Sequence, residues 1–371
     1  MNQVTAILIG AGARGQIYAR YAQEHPEELR IIAVAEPKAD RRALMCRAYG
    51  IPADRAFSNW EDLLARPQMA DAALICTLDD MHTEPTLAAL KQGYHVLLEK
   101  PMSNSETECR AIAAAAEEAQ RVLSVCHVLR YTPFYRTIKQ LIDDGQVGEV
   151  ASLSQVENVG YWHHAHSFVR GNWRRSDETS PMILQKCCHD MDILQWLIGK
   201  KCKKVQSFGT LSYFKEENAP KDAPDYCIQG CPKADTCPYN AVRLYLDDKE
   251  NDWFRTTSTR EANPTDEMVE TALRTTQYGK CVFKCDNDVV DHQTVNMIFE
   301  DDITVTFTMN AFNKGGRFIH IMGTKGELHA AMDGLGTPIT IYEFETKQTT
   351  EIPIVAKDGI TNGHGGGDDG I

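Results

Sequence analysis

The sequence predicts an α/β protein: a doubly wound parallel sheet at the N-terminus, then an α+β domain on a large, mostly antiparallel open sheet. Three observations predict it. A short β-branched run, residues 4–9, empties into Gly10, Ala11, Gly12, Ala13, Arg14 and Gly15, a G-x-G-x-x-G turn with a helical stretch behind it. From there to residue 126, strand-length apolar runs alternate with helix-length runs, the pattern of parallel strands joined by crossover helices. Beyond residue 150 the pattern changes to strands of period two with turn residues between them.

Each glycine of the first turn has its own task. Gly10 permits the tight exit from the strand, Gly12 lets bare backbone approach a pyrophosphate, and Gly15 lets helix and strand pack closely. A helix over 16–23 offers unpaired N–H groups and a positive dipole end to the phosphates. The second strand, 31–35, ends in Glu36, placed where a carboxylate accepts hydrogen bonds from ribose hydroxyls. That carboxylate repels a 2′-phosphate, so NAD is the expected cofactor. Arg41 and Arg42 keep NADP open as the alternative, although they read equally well as a solvated helix face. A short helix at 60–64, a strand at 72–77, a helix at 81–92, a strand at 95–99, an alanine-rich helix at 106–120 and a strand at 121–126 complete the first domain.

The 371 residues allow two domains. A net charge of −13 sets aside nucleic acid and anionic membranes as partners, since both require basic surface. No apolar run approaches the length of a membrane span, and no signal-peptide pattern precedes residue 4. Several of the twelve cysteines sit inside apparent core elements. Reduced thiols and a cytoplasmic location are therefore expected.

A helix over 134–144 stops at Gly145, and a strand at 150–157 alternates well. The segment 161–175 is rich in aromatic and histidine residues, including Trp162, His163, His164, His166, Arg170 and Trp173. Three histidines within four residues suggest a metal, but they crowd too closely for one tetrahedral site without a further ligand. Aromatic faces with Arg and His donors suit a sugar ring, and a structural loop is the plain alternative. A helix over 181–199 carries His189 and Asp192. Strands at 203–213 and 288–309 follow, with a hairpin around Asp301 and Asp302, and further strands at 318–322 and 338–342. Between the blocks lies a polar insertion of about 215–280. It holds Cys227, Cys231 and Cys237 in C-x3-C-x5-C spacing, two of them followed by proline. These thiols suit zinc or a cluster, with a fourth ligand from Cys281, Cys285 or Cys202, or else a loop of buried thiols or a disulfide. The spacing matches no strong ligand pattern, and no metal site is assigned.

Several of these segments together resemble one family, the glucose–fructose oxidoreductase / inositol dehydrogenase / rhizopine-catabolism (Gfo/Idh/MocA) oxidoreductases. They are the glycine turn, the stretch from Cys76 and Thr77 through His82, the run from His95 to Glu99, Lys100 and Pro101, and the run from His127 to Arg130 and Tyr131. Gly148, Glu149 and Val150 follow, then Cys188, His189, Asp190, Met191 and Asp192, then Gly323, Thr324, Lys325, Gly326 and Glu327, so the resemblance covers essentially the whole chain. It implies an NAD(P)-binding Rossmann domain at 1–130 and a substrate-binding and oligomerisation domain at 131–371. It also implies that the family's closing helix after a glycine-rich turn is missing here, since the chain stops after 362–371.

The resemblance further implies hydride transfer between nicotinamide and the hydroxyl carbon of a sugar, cyclitol or sugar derivative. Lys100 is then the lysine beside the nicotinamide, His189 the acid/base, and Asp192 the carboxylate sharing its helix face. The cofactor would lie along Gly10, Gly12, Ala13, Arg14, Gly15, Glu36, Thr77, His82, Glu99 and Lys100, although His82 also reads as structural. Substrate contacts are expected from His127, Arg130, Tyr131, Trp162, His163, Arg170, Trp173 and Lys186. Many members carry an Asp four residues before the histidine, and here that position is Gln185. Gln cannot stabilise an imidazolium by charge, so Asp190 or Asp192 takes the supporting role in this reading. Two alternatives stay open: an NAD-dependent glycosidase or lyase acting through a transient keto sugar, and a non-catalytic regulator that binds NAD and sugar. A homodimer or homotetramer is expected.

Overall fold

The structure is a computed structural model that describes residues 3–261, 263–354 and 363–371. The described residues up to Arg136, together with those from 363 onward, form one compact unit, and Thr137–Ile354 form the other.

In the first unit β1 (Val4–Ile9) leads to α1 (Ala13–Glu24), β2 (Leu29–Ala35), α2 (Ala39–Tyr49), the two-residue β3 (Ala56–Phe57) and α3 (Trp60–Leu64). Then come β4 (Ala72–Ile75), α4 (Thr83–Gln92), β5 (His95–Leu98), α5 (Glu106–Ala119) and β6 (Leu123–Val125). The strands are parallel in the order β3-β2-β1-β4-β5-β6. Their side chains alternate between two buried faces. Ile7, Ile9, Ile75, Val96 and Leu98 pack with α3, α4 and α5, whereas Ala6, Leu8, Ile31, Val34 and Leu74 pack with α1 and α2. The order in which strands are added to the sheet reverses between β1 and β4, so the carboxyl ends of these strands border the crevice where such sheets bind ligands.

The sequence reading carried the second domain to the C-terminus. Instead, Gly363–Gly370 (α12, with left-handed backbone at His364, Gly365 and Gly366) packs on the first unit. The cause is local: Asp368 is bound by Arg14, and a Cβ on Gly367 would lie 2.3 Å from the Val128 carbonyl oxygen. Asn362, at the head of that glycine-rich stretch, lies outside the described residues.

After α6 (Pro133–Asp143), the second unit runs β7 (Val150–Asn158), α7 (Tyr161–His164), a π-helical turn (Ala165–Arg170), α8 (Met182–Gln185), α9 (Cys188–Ile198) and β8 (Cys202–Thr210). It continues with α10 (Asp252–Thr259), α11 (Asp266–Thr275), β9 (His292–Phe299), β10 (Thr304–Asn310), β11 (Gly316–Gly323), β12 (Gly326–Met332), β13 (Ile339–Glu343) and β14 (Gln348–Ile352). The eight strands lie in the order β14-β13-β12-β11-β7-β10-β9-β8. The sheet is antiparallel except where β10 pairs parallel to β7. The β9–β10 turn places both Asp301 and Asp302 at positive φ, as a tight hairpin requires.

Two expectations change. The helix expected over 181–199 is broken at Lys186 and Cys187, where the Cys187 N–H reaches back to the Met182 carbonyl before α9 begins. The insertion is not merely polar. Tyr245, Phe254, Val269, Leu273 and Tyr278 bury a core of their own around Cys227.

Candidate active site

The first unit presents a dinucleotide turn with its parts in working order. Gly10 sits at φ +91°, and a Cβ there would lie 2.6 Å from the Cys76 carbonyl oxygen. A Cβ on Gly15 would lie 2.1 Å from the Gly10 carbonyl oxygen, so strand and helix touch backbone to backbone. A Cβ on Gly12 would meet nothing within 4 Å. Gly12 caps α1 without a side-chain hydrogen bond, and the first turn holds no acidic residue. Open space before uncapped amides at a helix start suits a pyrophosphate, and the residues present therefore fit a dinucleotide.

Glu36 is buried at the end of β2. Its Oε2 accepts the Ala11 N–H at 2.8 Å and its Oε1 accepts the Lys38 N–H at 2.9 Å, so the carboxylate is aimed by backbone donors from both sides. Arg42 spends its guanidinium on the carbonyls of Glu36 and Pro37.

Lys100 follows β5, and the residues around it are tied down. The carboxylate of Glu99 accepts from Arg14 Nε at 2.6 Å, from the Tyr18 hydroxyl at 2.9 Å and from the Lys100 N–H at 2.6 Å. Arg14 also reaches Asp368 at 2.6 Å. His82 lies between the Pro101 carbonyl (2.8 Å) and the Thr77 carbonyl (3.2 Å). Arg14, His82 and Glu99, expected along the cofactor, thus spend these side-chain atoms on protein partners. All three hold protein partners and fix the backbone that carries Lys100. Arg14 keeps a backbone position in the first turn of α1, and Thr77 donates to the Met81 carbonyl at 3.0 Å. His127 caps the turn Val128–Tyr131, in which Arg130 and Tyr131 are half-buried. A Cβ on Gly370 would come within 2.8 Å of Tyr131 Cβ, and Arg136 stacks on the Tyr131 ring.

In the second unit His189 is buried in the first turn of α9, with Asp192 half-buried three residues on. Asp190 lies between them and turns the other way. Fully buried, it accepts from Gln155 Nε2 at 2.7 Å and from Arg317 Nε at 2.9 Å. It therefore pins α9 to β7 and β11, and the support it gives the first turn of α9 is one of position. Arg317 Nε also lies 2.8 Å from Glu157 Oε2, and Lys186 Nζ lies 3.4 Å from Glu157 Oε1. Burial pushes the Glu157 carboxyl up, against the pull of Arg317 and Lys186. His163 is driven well below its ordinary value by burial and then by Lys186, so its ring is neutral at physiological pH. It stacks on Trp162 at 5.6 Å.

Sequence reasoning missed Gln155, Glu157 and Arg317. The period-two burial of β7 was the available signal, since it turns Glu157 inward beside Leu153 and Gln155. Arg170 was expected to contact substrate. It is instead buried in the interior, donating to the carbonyls of Lys280 (2.8 Å) and Tyr239 (2.7 Å). Trp173 packs on Phe168 at 6.1 Å. His164 and His166 are likewise interior. Burial brings them to about 4 and about 3, and His166 meets the Tyr245 hydroxyl at 2.7 Å.

Among the described residues no helix is long and apolar enough to cross a membrane. The model of an oxidoreductase family with an NAD-binding Rossmann fold matches residues 4–127, and the model of the same family's C-terminal alpha/beta domain matches 139–351. YteT of Bacillus subtilis, classed as an oxidoreductase, is 26% identical over 83% of this chain and 72% of its own length. Inositol 2-dehydrogenase of Klebsiella pneumoniae is 29% identical over 54% of this chain, and the match spans 56% of that enzyme. An oxidoreductase domain protein from Kribbella flavida superposes with a TM-score of 0.69 at 19% identity, covering 99% of this chain and 88% of its own. The WlbA dehydrogenase from Bordetella pertussis, solved with NADH and UDP-GlcNAcA, gives 0.61 at 15% identity, covering 89% and 74%. These two structures share the fold.

Proposed function

The chain belongs to the Gfo/Idh/MocA oxidoreductase family and carries its NAD-binding Rossmann fold, and on that premise we propose that it is a dehydrogenase of a sugar, cyclitol or sugar derivative. The observation that carries this reading is the fixed Lys100. Glu99 binds the Lys100 backbone N–H while Arg14 and Tyr18 hold Glu99, directly beyond a strand end in a dinucleotide-binding sheet.

NAD supplies the hydride acceptor when bound. The protein's part is positioning and proton transfer. The uncapped amides of α1 hold phosphate, and Glu36 accepts from the ribose hydroxyls. The Lys100 ammonium donates to the substrate oxygen as negative charge develops there. His189 takes the hydroxyl proton, with Asp192 beside it, and the Asp190 clamp keeps the first turn of α9 in place. His163, neutral, and Lys186, paired with Glu157, lie beside one another and are assigned to substrate recognition with Trp162.

The carbohydrate class is supported by inositol 2-dehydrogenase among the relatives and by UDP-GlcNAcA in the WlbA structure. A panel of cyclitols, free sugars, sugar acids and nucleotide sugars, incubated with NAD, tests it by NADH absorbance and product mass together. NADH formed in step with an oxidised product supports the dehydrogenase. A cleaved product without net NADH supports the glycosidase or lyase instead.

A further inference from the structure

The cysteines of the insertion converge on one cavity. Cys227, Cys231, Cys237 and Cys281 line it together with Arg170 and Tyr239. Three come from one short stretch and the fourth from a distant one. The two stretches are held in register by a bridge between Tyr226 and Lys280, and by the Cys281 N–H donating to the Asp225 carbonyl at 2.8 Å. Cys285 does not line it, and its thiol meets the Cys281 carbonyl at 3.4 Å, while Cys202 is exposed on β8.

Arg170 supplies a second, independent observation. Its side chain borders the same cavity and the residue is 1% exposed. Nη2 lies 3.7 Å from Cys227 Sγ, while Nη1 has no hydrogen-bond partner. Among the described residues no carboxylate pairs with it. Two backbone carbonyls do not balance a guanidinium in the interior, which is costly to leave uncompensated. Thiolates bound to a metal centre would supply the missing negative charge at that spot.

Sulfur spacing favours one kind of centre. A single zinc ion with Zn–S bonds of about 2.3 Å draws its thiolates to about 3.8 Å from one another. Among the described residues, His320, Glu327 and His329 form the sole trio whose ligand atoms lie within 4.8 Å of each other, so no three of these sulfurs are drawn so close. Four thiolates spread around a cavity suit a cubane, whose iron corners hold the sulfurs apart.

We propose that Cys227, Cys231, Cys237 and Cys281 ligate an iron–sulfur cluster of the [4Fe–4S] class, with Arg170 as its buried counter-charge. The cluster staples the insertion to the segment carrying Cys281. Its assembly takes two ferrous ions, two ferric ions and four sulfides as the co-reactants and releases the four thiol protons on ligation, with no net oxidation or reduction.

The full chain, purified without oxygen, is assayed for iron, acid-labile sulfide, zinc and visible absorption. The expected result is about four iron and four sulfide per chain, with a broad absorption near 400 nm that dithionite bleaches. Cys237→Ser and Cys281→Ser should each lose most of the iron. Cys285→Ser should keep it, as a control that touches the same segment. Stoichiometric zinc without iron would overturn the cluster. So would a chain with no metal both as isolated and after anaerobic reconstitution with ferrous and ferric iron and sulfide, or iron retained equally by all three variants.

Discussion

Asp190 and Arg317, 127 positions apart, form a buried pair in which Nε meets Oδ1 at 2.9 Å and Nη2 meets Oδ2 at 3.4 Å. The pair joins the helix that carries His189 in its first turn to β11 of the second sheet. Asp190→Asn leaves Arg317 with Glu157 but removes half of its counter-charge. A loss of about 3 kcal/mol is expected from an unbalanced buried pair. Denaturant unfolding should show it. Turnover should fall more than affinity for NAD, since α9 carries the proposed acid/base and takes no part in the nucleotide turn.

Two glycines of the first turn should separate stability from cofactor binding. Gly15→Ala drives a Cβ to 2.1 Å from the Gly10 carbonyl oxygen, so the folded first unit must distort, at a cost of about 2 kcal/mol or more. Gly12→Ala meets no protein atom within 4 Å and has an ordinary φ of −69°, so thermal stability should hold. NAD affinity should nevertheless drop at least about tenfold, which is about 1.4 kcal/mol. Thermal melting beside NAD titration distinguishes the two effects. Equal behaviour of both variants would count against the assigned tasks.

Glu36 sets the expected preference for NAD over NADP. Glu36→Gln retains an oxygen for the Ala11 N–H, so the turn should survive. Loss of the negative charge should narrow the ratio of kcat/KM for NAD over NADP by about tenfold. An unchanged ratio would remove Glu36 from cofactor selection.

The interior histidines predict an acid limb. Burial lowers His164 to about 4 and His166 to about 3, so the unfolded chain takes up their protons first. Stability is then intact above about pH 6.5 and falls as pH drops below it, levelling near 4 for His164 and near 3 for His166. His164 alone contributes about 3 kcal/mol by the acid end. His164→Phe keeps the stack on Phe214, whose ring lies 5.5 Å away, and should make that limb about half as steep in denaturation midpoints taken from pH 7 to pH 4.5, since His166 still contributes.

Period and punctuation made most of the architecture legible in the sequence. Gly10, Gly12 and Gly15 sit where the turn needs them, the apolar runs before residue 126 became the strands of the first sheet, and the period-two runs beyond residue 150 became strands of the second. The histidine-rich segment misled because residue type was read without burial. A π-helical turn takes His166 and Arg170 inside, so groups that look like sugar ligands are wall and counter-charge. The protein partners of Arg14, His82 and Glu99 were hidden in a related way. Their position beside the nucleotide turn was readable, but their partners Asp368, Pro101 and Tyr18 come from distant or following segments. The Gln155, Glu157, Asp190 and Arg317 cluster joins three elements across the sheet, and no local spacing announces it.

Hydride transfer is tested most directly by isotope. The substrate found in the panel, deuterated at its carbinol carbon, is turned over with NAD, and the cofactor and product are weighed by mass spectrometry. The account predicts one deuterium on the reduced cofactor and none on the oxidised product carbon, with Lys100→Ala abolishing the transfer while NAD still binds. Deuterium washed into solvent, or retained on product without any reduced cofactor, would contradict it.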